Sequence, residues 1–206
     1  MAESTAENAV GSDLDGPSEP GLAGMLIRDI AVILAALSVW AAADTWHQAT
    51  GLWLAEAVAV GDAILVGLLL ASLFHEWGHY AGAASSGAST TRVAPVGLSF
   101  FRFNFNYADN DLRQFHWMTY GGHVLHWSIL ILLLIAIPLD SLGRIALVSA
   151  VFGFVVFATF IEVNILRQTF AGEDPESVLN ALTTEDIKKA GAVGTIGGLL
   201  AIAALH

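Results

Sequence analysis

No cysteine occurs among the 206 residues. That excludes disulfides and thiolate ligands, so any metal would have to rest on His, Asp or Glu. Positive charge is scarce too: eight Lys and Arg stand against nineteen Asp and Glu, a formal net charge of −11. The eight form no basic patch, and nothing else suggests a nucleic-acid partner. Charge of either sign is low, 13% of residues against about 25% in an average soluble domain. No internal repeat is apparent. What the chain has instead is apolar length: 55% of it is hydrophobic, gathered into long runs.

A spanning helix needs about 20 mostly apolar residues. Runs of that kind cover about 25–46, 54–84, 117–138 and 142–166, and a shorter Gly-rich run extends from about 190 to the C-terminus. Residues 1–20 are of another kind, with Glu3, Glu7, Asp13, Asp15 and Glu19 and no Lys or Arg. Low hydrophobicity with charge of one sign predicts disorder there. The long acidic lead also argues against a cleaved signal at the "AAA" of 41–43, so the first run is expected to stay as an anchor.

Between the second and third runs the texture changes. "SFFRFNFNY" alternates aromatic and polar residues with period two, the pattern of a strand, and "YADND" supplies a turn. An open sheet edge does not survive in bare lipid, which predicts a hairpin at the interface or against the helices. The expected fold is an all-α polytopic membrane protein of five transmembrane helices with a small interfacial β-hairpin. A disordered acidic tail, 1–23, precedes a single membrane-embedded domain, 24–206. With five spans, one side collects Arg28, Arg92, Arg102, Arg113, Arg167, Lys188 and Lys189, and the other Arg144 alone. The positive-inside rule then puts the N-terminus in the cytoplasm.

"FHEWGH" lies in the last third of the second run, where His75, Glu76 and His79 form H-E-x-x-H. Residues four apart on a helix stand on one face, so the two imidazoles can hold one Zn²⁺, leaving places for a third protein ligand and a water. Glu76, beside the first ligand, can take a proton from that water. Three ionisable residues clustered in one turn of a membrane helix are costly, and such groups are functional by default. Asp174, Glu173, Glu162, His123 and His126 are the candidates for a third ligand. His123 and His126 also share a face near the start of the third run.

These residues resemble the site-2 protease family of intramembrane zinc metalloproteases. "FHEWGHYAGAASSGAST" is similar to the family's HE-aromatic-GH box near the cytoplasmic end of a transmembrane helix. The family's β-hairpin and Gly-Pro-x-x-Asn element correspond to residues 91–116 and to "TYGGHVLHW". There Gly122 matches the Gly, His123 replaces the Pro and His126 replaces the Asn. The family's later Asn and ligand Asp match Asn164 and Asp174, with Pro175 where Gly is usual. The likeness spans roughly residues 54–182, without any inserted PDZ or CBS domain.

The resemblance implies one Zn²⁺ per chain on His75, His79 and Asp174, with Glu76 activating water and His126 or nearby backbone N–H groups stabilising the oxyanion. The implied substrate is a transmembrane segment of another membrane protein, cut near the cytoplasmic face. Compact size and the resemblance suggest a bacterial inner membrane. Two other readings follow from the same residues. One is a metal-binding scaffold without activity, suggested by the altered Gly-Pro-x-x-Asn element. The other is a membrane di-iron oxygenase, which would use more of the histidines and two metals.

Overall fold

Backbone hydrogen bonds have no partner in hydrocarbon, so an apolar run of spanning length folds as a helix. The computed structural model describes residues 20–94 and 101–206. The expected acidic tail up to residue 19 and the start of the aromatic alternation, within 95–100, lie outside the described residues. The elements run α1 (Leu22–Thr50), α2 (Trp53–Ser85), β1 (Thr90–Val93), β2 (Arg102–Phe105), α3 (Leu112–Ala136), α4 (Leu142–Phe170), α5 (Pro175–Asn180) and α6 (Thr184–Leu205). All but α5 among these helices are long and apolar enough to cross a membrane. The chain is an all-α polytopic membrane protein with one two-stranded antiparallel sheet.

Two helices begin earlier than the apolar runs suggest, because their starts are polar caps. Asp111 accepts from the Gln114 backbone N–H while the Gln114 side chain accepts from the Asp111 N–H, so α3 starts directly after the "YADND" turn, whose last residue is its cap. Thr183 and Asp186 make the same reciprocal pair at the start of α6. At the other end of α2, Gly87 takes φ 73°, and the Ala88 and Gly87 amides bond back to Ala83 and Ala84. This left-handed glycine turn stops the helix and releases the chain into β1.

The middle of the bundle is α2 and α4. α2 packs on α1, α3 and α4, while α6 packs chiefly on α4. Half of the apolar window of α4 is buried (50%) against 11% for α1 and α6, so α4 is the central helix and those two are peripheral. One apolar cluster joins Ala71 of α2, Ile129, Leu130 and Leu133 of α3, and Val148, Val151 and Val155 of α4. A second joins Trp40 of α1 to Ala63, Val66 and Leu70 of α2 and Ala146 and Leu147 of α4.

Without a hydrophobic drive between helices in lipid, close backbone approach and polar bonds decide the packing. Gly78 and Gly82 of α2 lie against the Trp117–Gly122 stretch of α3, backbone on backbone. At the opposite end, buried Asp44 of α1 accepts from Arg144 Nε at 2.8 Å, Ser141 Oγ at 2.8 Å and Gln48 Nε2 at 2.6 Å. That network ties α1 to the start of α4.

The hairpin pairs Thr90 with Phe105 and Val93 with Arg102. Along β2 the expected alternation holds, with Arg102 and Asn104 exposed and Phe103 and Phe105 turned inward. Phe101 stacks on Trp77 at 3.9 Å, Phe103 meets Tyr80 edge-on at 5.5 Å, and Phe105 meets Phe115. The sheet therefore lies on the ends of α2 and α3, on the side where the H-E-x-x-H turn is.

Candidate metal centre

His75 and His79 sit one turn apart on α2, as their spacing requires, and both are largely buried. Their Nε2 atoms are 3.1 Å apart. Glu162 of α4 reaches across so that its Oε1 lies 3.1 Å from His75 Nε2 and 2.8 Å from His79 Nε2. Among the described residues these three make the one group of His, Asp or Glu whose donor atoms converge in this way.

The chemistry of this triad asks for a cation. The His79 Nδ1 atom faces the Met118 carbonyl at 3.0 Å, and a carbonyl only accepts. Nδ1 therefore carries the ring proton, and in the neutral ring Nε2 presents a lone pair to a carboxylate oxygen. Two acceptors held 2.8 Å apart repel unless positive charge, a proton or a metal ion, lies between them. The three separations also resemble a face of a tetrahedron, whose edge is about 3.3 Å for metal bonds of about 2.05 Å. By donor type and by spacing the group fits Zn²⁺.

Space for this arrangement comes from glycine. A Cβ on Gly122 would strike the His79 imidazole, and one on Gly78 would strike the Gly121 backbone. The Gly inside the HEWGH box thus lets α3 approach, and Gly122 leaves room for the ligand ring.

Glu76, on the same turn, is half-buried and makes no hydrogen bond or ion pair with the described residues. Trp77, the next residue, donates from Nε1 to Asp29 Oδ2 at 3.0 Å, and Asp29 also accepts from Arg28. The box is thereby anchored to α1. Phe154 of α4 packs edge-on against His75, with ring centroids 5.6 Å apart. Phe154 also lines an apolar cavity of about 400 Å³ between α2, α4 and α6, whose walls include Ile64, Leu68 and Leu199.

Two expectations need correction. Asp174 is not brought to the histidines: it is exposed at the start of α5, accepting from the Ser177 backbone N–H at 2.9 Å and the Ser177 hydroxyl at 2.9 Å. Those bonds, the backbone one first, hold its carboxyl below the usual carboxylate range. The physical reason is that α4 ends at Phe170, eight residues past Glu162 or about 12 Å of helix, and the left-handed Gly172, φ 98°, then turns the chain away. The "GEDPES" break thus lies beyond the helix end and does not line the site. "DPES" carried the signal for this, since Asp followed by Pro at the first helical position is a helix start.

His126 is also placed differently from the oxyanion role. It is fully buried, and its Nδ1 lies 3.0 Å from His75 Nδ1, behind that ligand. His123 is close to the site as well, with Nδ1 2.6 Å from Glu162 Oε2. Glu162 had a visible signal, a lone carboxylate in an apolar run, but its partners stand on other helices. Asn164 is exposed and takes no part.

No family model, curated protein or solved structure matches the chain.

Proposed function

We propose that the chain is an intramembrane metal-dependent peptidase, with His75, His79 and Glu162 holding one Zn²⁺ and Glu76 as general base. The observation that carries this reading is the convergence of three acceptor atoms within 3.1 Å of one another beside an unpaired carboxylate. A bound Zn²⁺ would supply Lewis-acid activation of water and of a carbonyl. Glu76 accepts the proton as the water oxygen attacks the peptide carbonyl carbon, and returns it to the departing amine nitrogen.

The depth of the site supports a membrane substrate. His75 is ten residues from the end of α2, about 15 Å along the axis, and Glu162 about 12 Å from the end of α4. A soluble peptidase has no reason to hold its chemistry that far down apolar helices. Among the described residues the sheet has two strands, so an unwound segment could add at an edge as a further strand. The apolar cavity beside Phe154 offers such a segment a way in from lipid. In this reading the substrate is a transmembrane protein of a bacterial inner membrane, cut near the cytoplasmic face, and the N-terminus is cytoplasmic. A two-metal oxygenase has less support, since only one three-donor group occurs among the described residues.

The test is Glu76→Gln, assayed on a panel of single-span substrates in detergent and in vesicles. The variant is expected to keep one zinc per chain while cleavage falls by at least about 100-fold, the scale of a general base. Cleavage near the wild-type rate would remove Glu76 from the mechanism. Wild type that binds zinc yet cuts nothing in the panel would favour the scaffold.

A further inference from the structure

Each of the three donors of the site has a second atom facing away from the others, and all three second atoms meet α3. His79 Nδ1 meets the Met118 carbonyl at 3.0 Å, His75 Nδ1 meets His126 Nδ1 at 3.0 Å, and Glu162 Oε2 meets His123 Nδ1 at 2.6 Å. We propose that α3 is the positioning helix of the metal centre, with His126 orienting His75 and His123 orienting Glu162. The proposal rests on these three residues as metal donors, and not on what the centre then does to a substrate.

The proton placements agree with that role. When His75 offers its Nε2 lone pair to a cation, its Nδ1 carries the proton and donates to His126 Nδ1. The His123 Nδ1 atom faces two acceptors, so it carries a proton: it donates to the Thr119 carbonyl at 3.3 Å and lies in close charge contact with Glu162 Oε2. That contact occupies one carboxylate oxygen and leaves Oε1 to face the histidines. Neither α3 histidine joins the donor group itself.

Burial sharpens the point. His126 is 0% exposed, and among the described residues its one polar contact is His75. A buried imidazole with a single bond is costly, since its other nitrogen is desolvated without return. Packing alone would favour Leu at this position. By contrast, His116, also on α3, is satisfied by Thr169 Oγ1 at 2.9 Å and touches none of the donors. It serves as an internal control.

The experiment titrates the full chain in detergent with Zn²⁺ against a chromogenic chelator, and separately records the visible spectrum with Co²⁺. The variants are His126→Leu, His123→Leu, His126→Gln, His123→Gln and His116→Leu. Loss of an outer partner typically weakens metal binding about 10–100-fold. That loss, with a shifted Co²⁺ spectrum, is expected for the two Leu variants at 123 and 126. The Gln variants, which keep an acceptor or a donor in reach, should recover much of the affinity, and His116→Leu should match wild type.

Wild-type affinity and spectrum in the 123 and 126 Leu variants would overturn the proposal. So would an equal loss in His116→Leu, because the effect would then be general packing of α3. If a Leu variant fails to fold, Met at the same position replaces it, with the same loss of affinity expected and wild-type affinity and spectrum overturning the proposal. No metal in folded wild type removes both this proposal and the metal reading, whereas the expected affinities without any peptide cleavage leave this one standing.

Discussion

Glu162 carries a carboxylate into the most buried helix of the bundle, where an unpaired charge is costly. His123 faces one of its oxygens, and a cation shared with His75 and His79 would neutralise the other. Asp174 has no such surroundings, and its bonds are those of a helix cap. Glu162→Gln is therefore expected to weaken zinc binding by more than about 100-fold, beyond the effect of an outer partner. Asp174→Ala is expected to leave it unchanged. Chelator competition on the two variants side by side checks this, and the opposite order would return the ligand role to Asp174. Both residues stood among the sequence candidates. Choosing between them needed the end of α4, which a Gly followed by Asp-Pro marks locally.

Helix contact is where the glycines act. Gly78 and Gly122 occupy the same α2–α3 seam but oppose different groups, backbone in one case and the His79 ring in the other. Gly78→Ala has to push two backbones apart, and overpacking of this kind costs about 1–3 kcal/mol. It should lower the thermal unfolding temperature with or without zinc. Gly122→Ala meets only a ring that can turn aside, so it should leave metal-free stability near wild type while weakening zinc binding. Thermal unfolding in detergent, with and without zinc, separates the two. Equal effects of both variants would show that the seam does not distinguish scaffold from site. The box showed Gly78 between Trp77 and His79, yet nothing in the one-dimensional pattern says which glycine faces an imidazole.

For the whole molecule, orientation decides which compartment reaches the hairpin and the end of α2 that carries the H-E-x-x-H turn. The absence of native cysteine makes single-cysteine labelling clean. Glu173, between α4 and α5, and Thr50, at the end of α1, are both exposed and lie at opposite ends of the bundle. With the N-terminus inside, Glu173→Cys should react with an impermeant maleimide only after the membrane is opened, and Thr50→Cys in intact cells. The reverse pattern would invert the proposed topology and put the site near the outer face. The charge bias carries this expectation, and Arg144, at the end of the bundle opposite the other Arg and Lys residues, is engaged by Asp44 and Asp140.

What the sequence alone determined is what depends on local periodicity and composition. Five spans, a short aromatic strand and two histidines on one helical face all follow from spacing along the chain. Lipid strengthens those readings, because it leaves an apolar segment few alternatives to the helix. The third donor, the outer histidines and the glycine seam were decided only by tertiary structure. They join α2, α3 and α4 at points 35 to 87 residues apart, from Gly82 with Trp117 to His75 with Glu162. Which faces of three helices meet depends on crossing geometry and on where backbones can touch. A single chain read in order carries the residue types for that encounter, but not the angle at which they arrive.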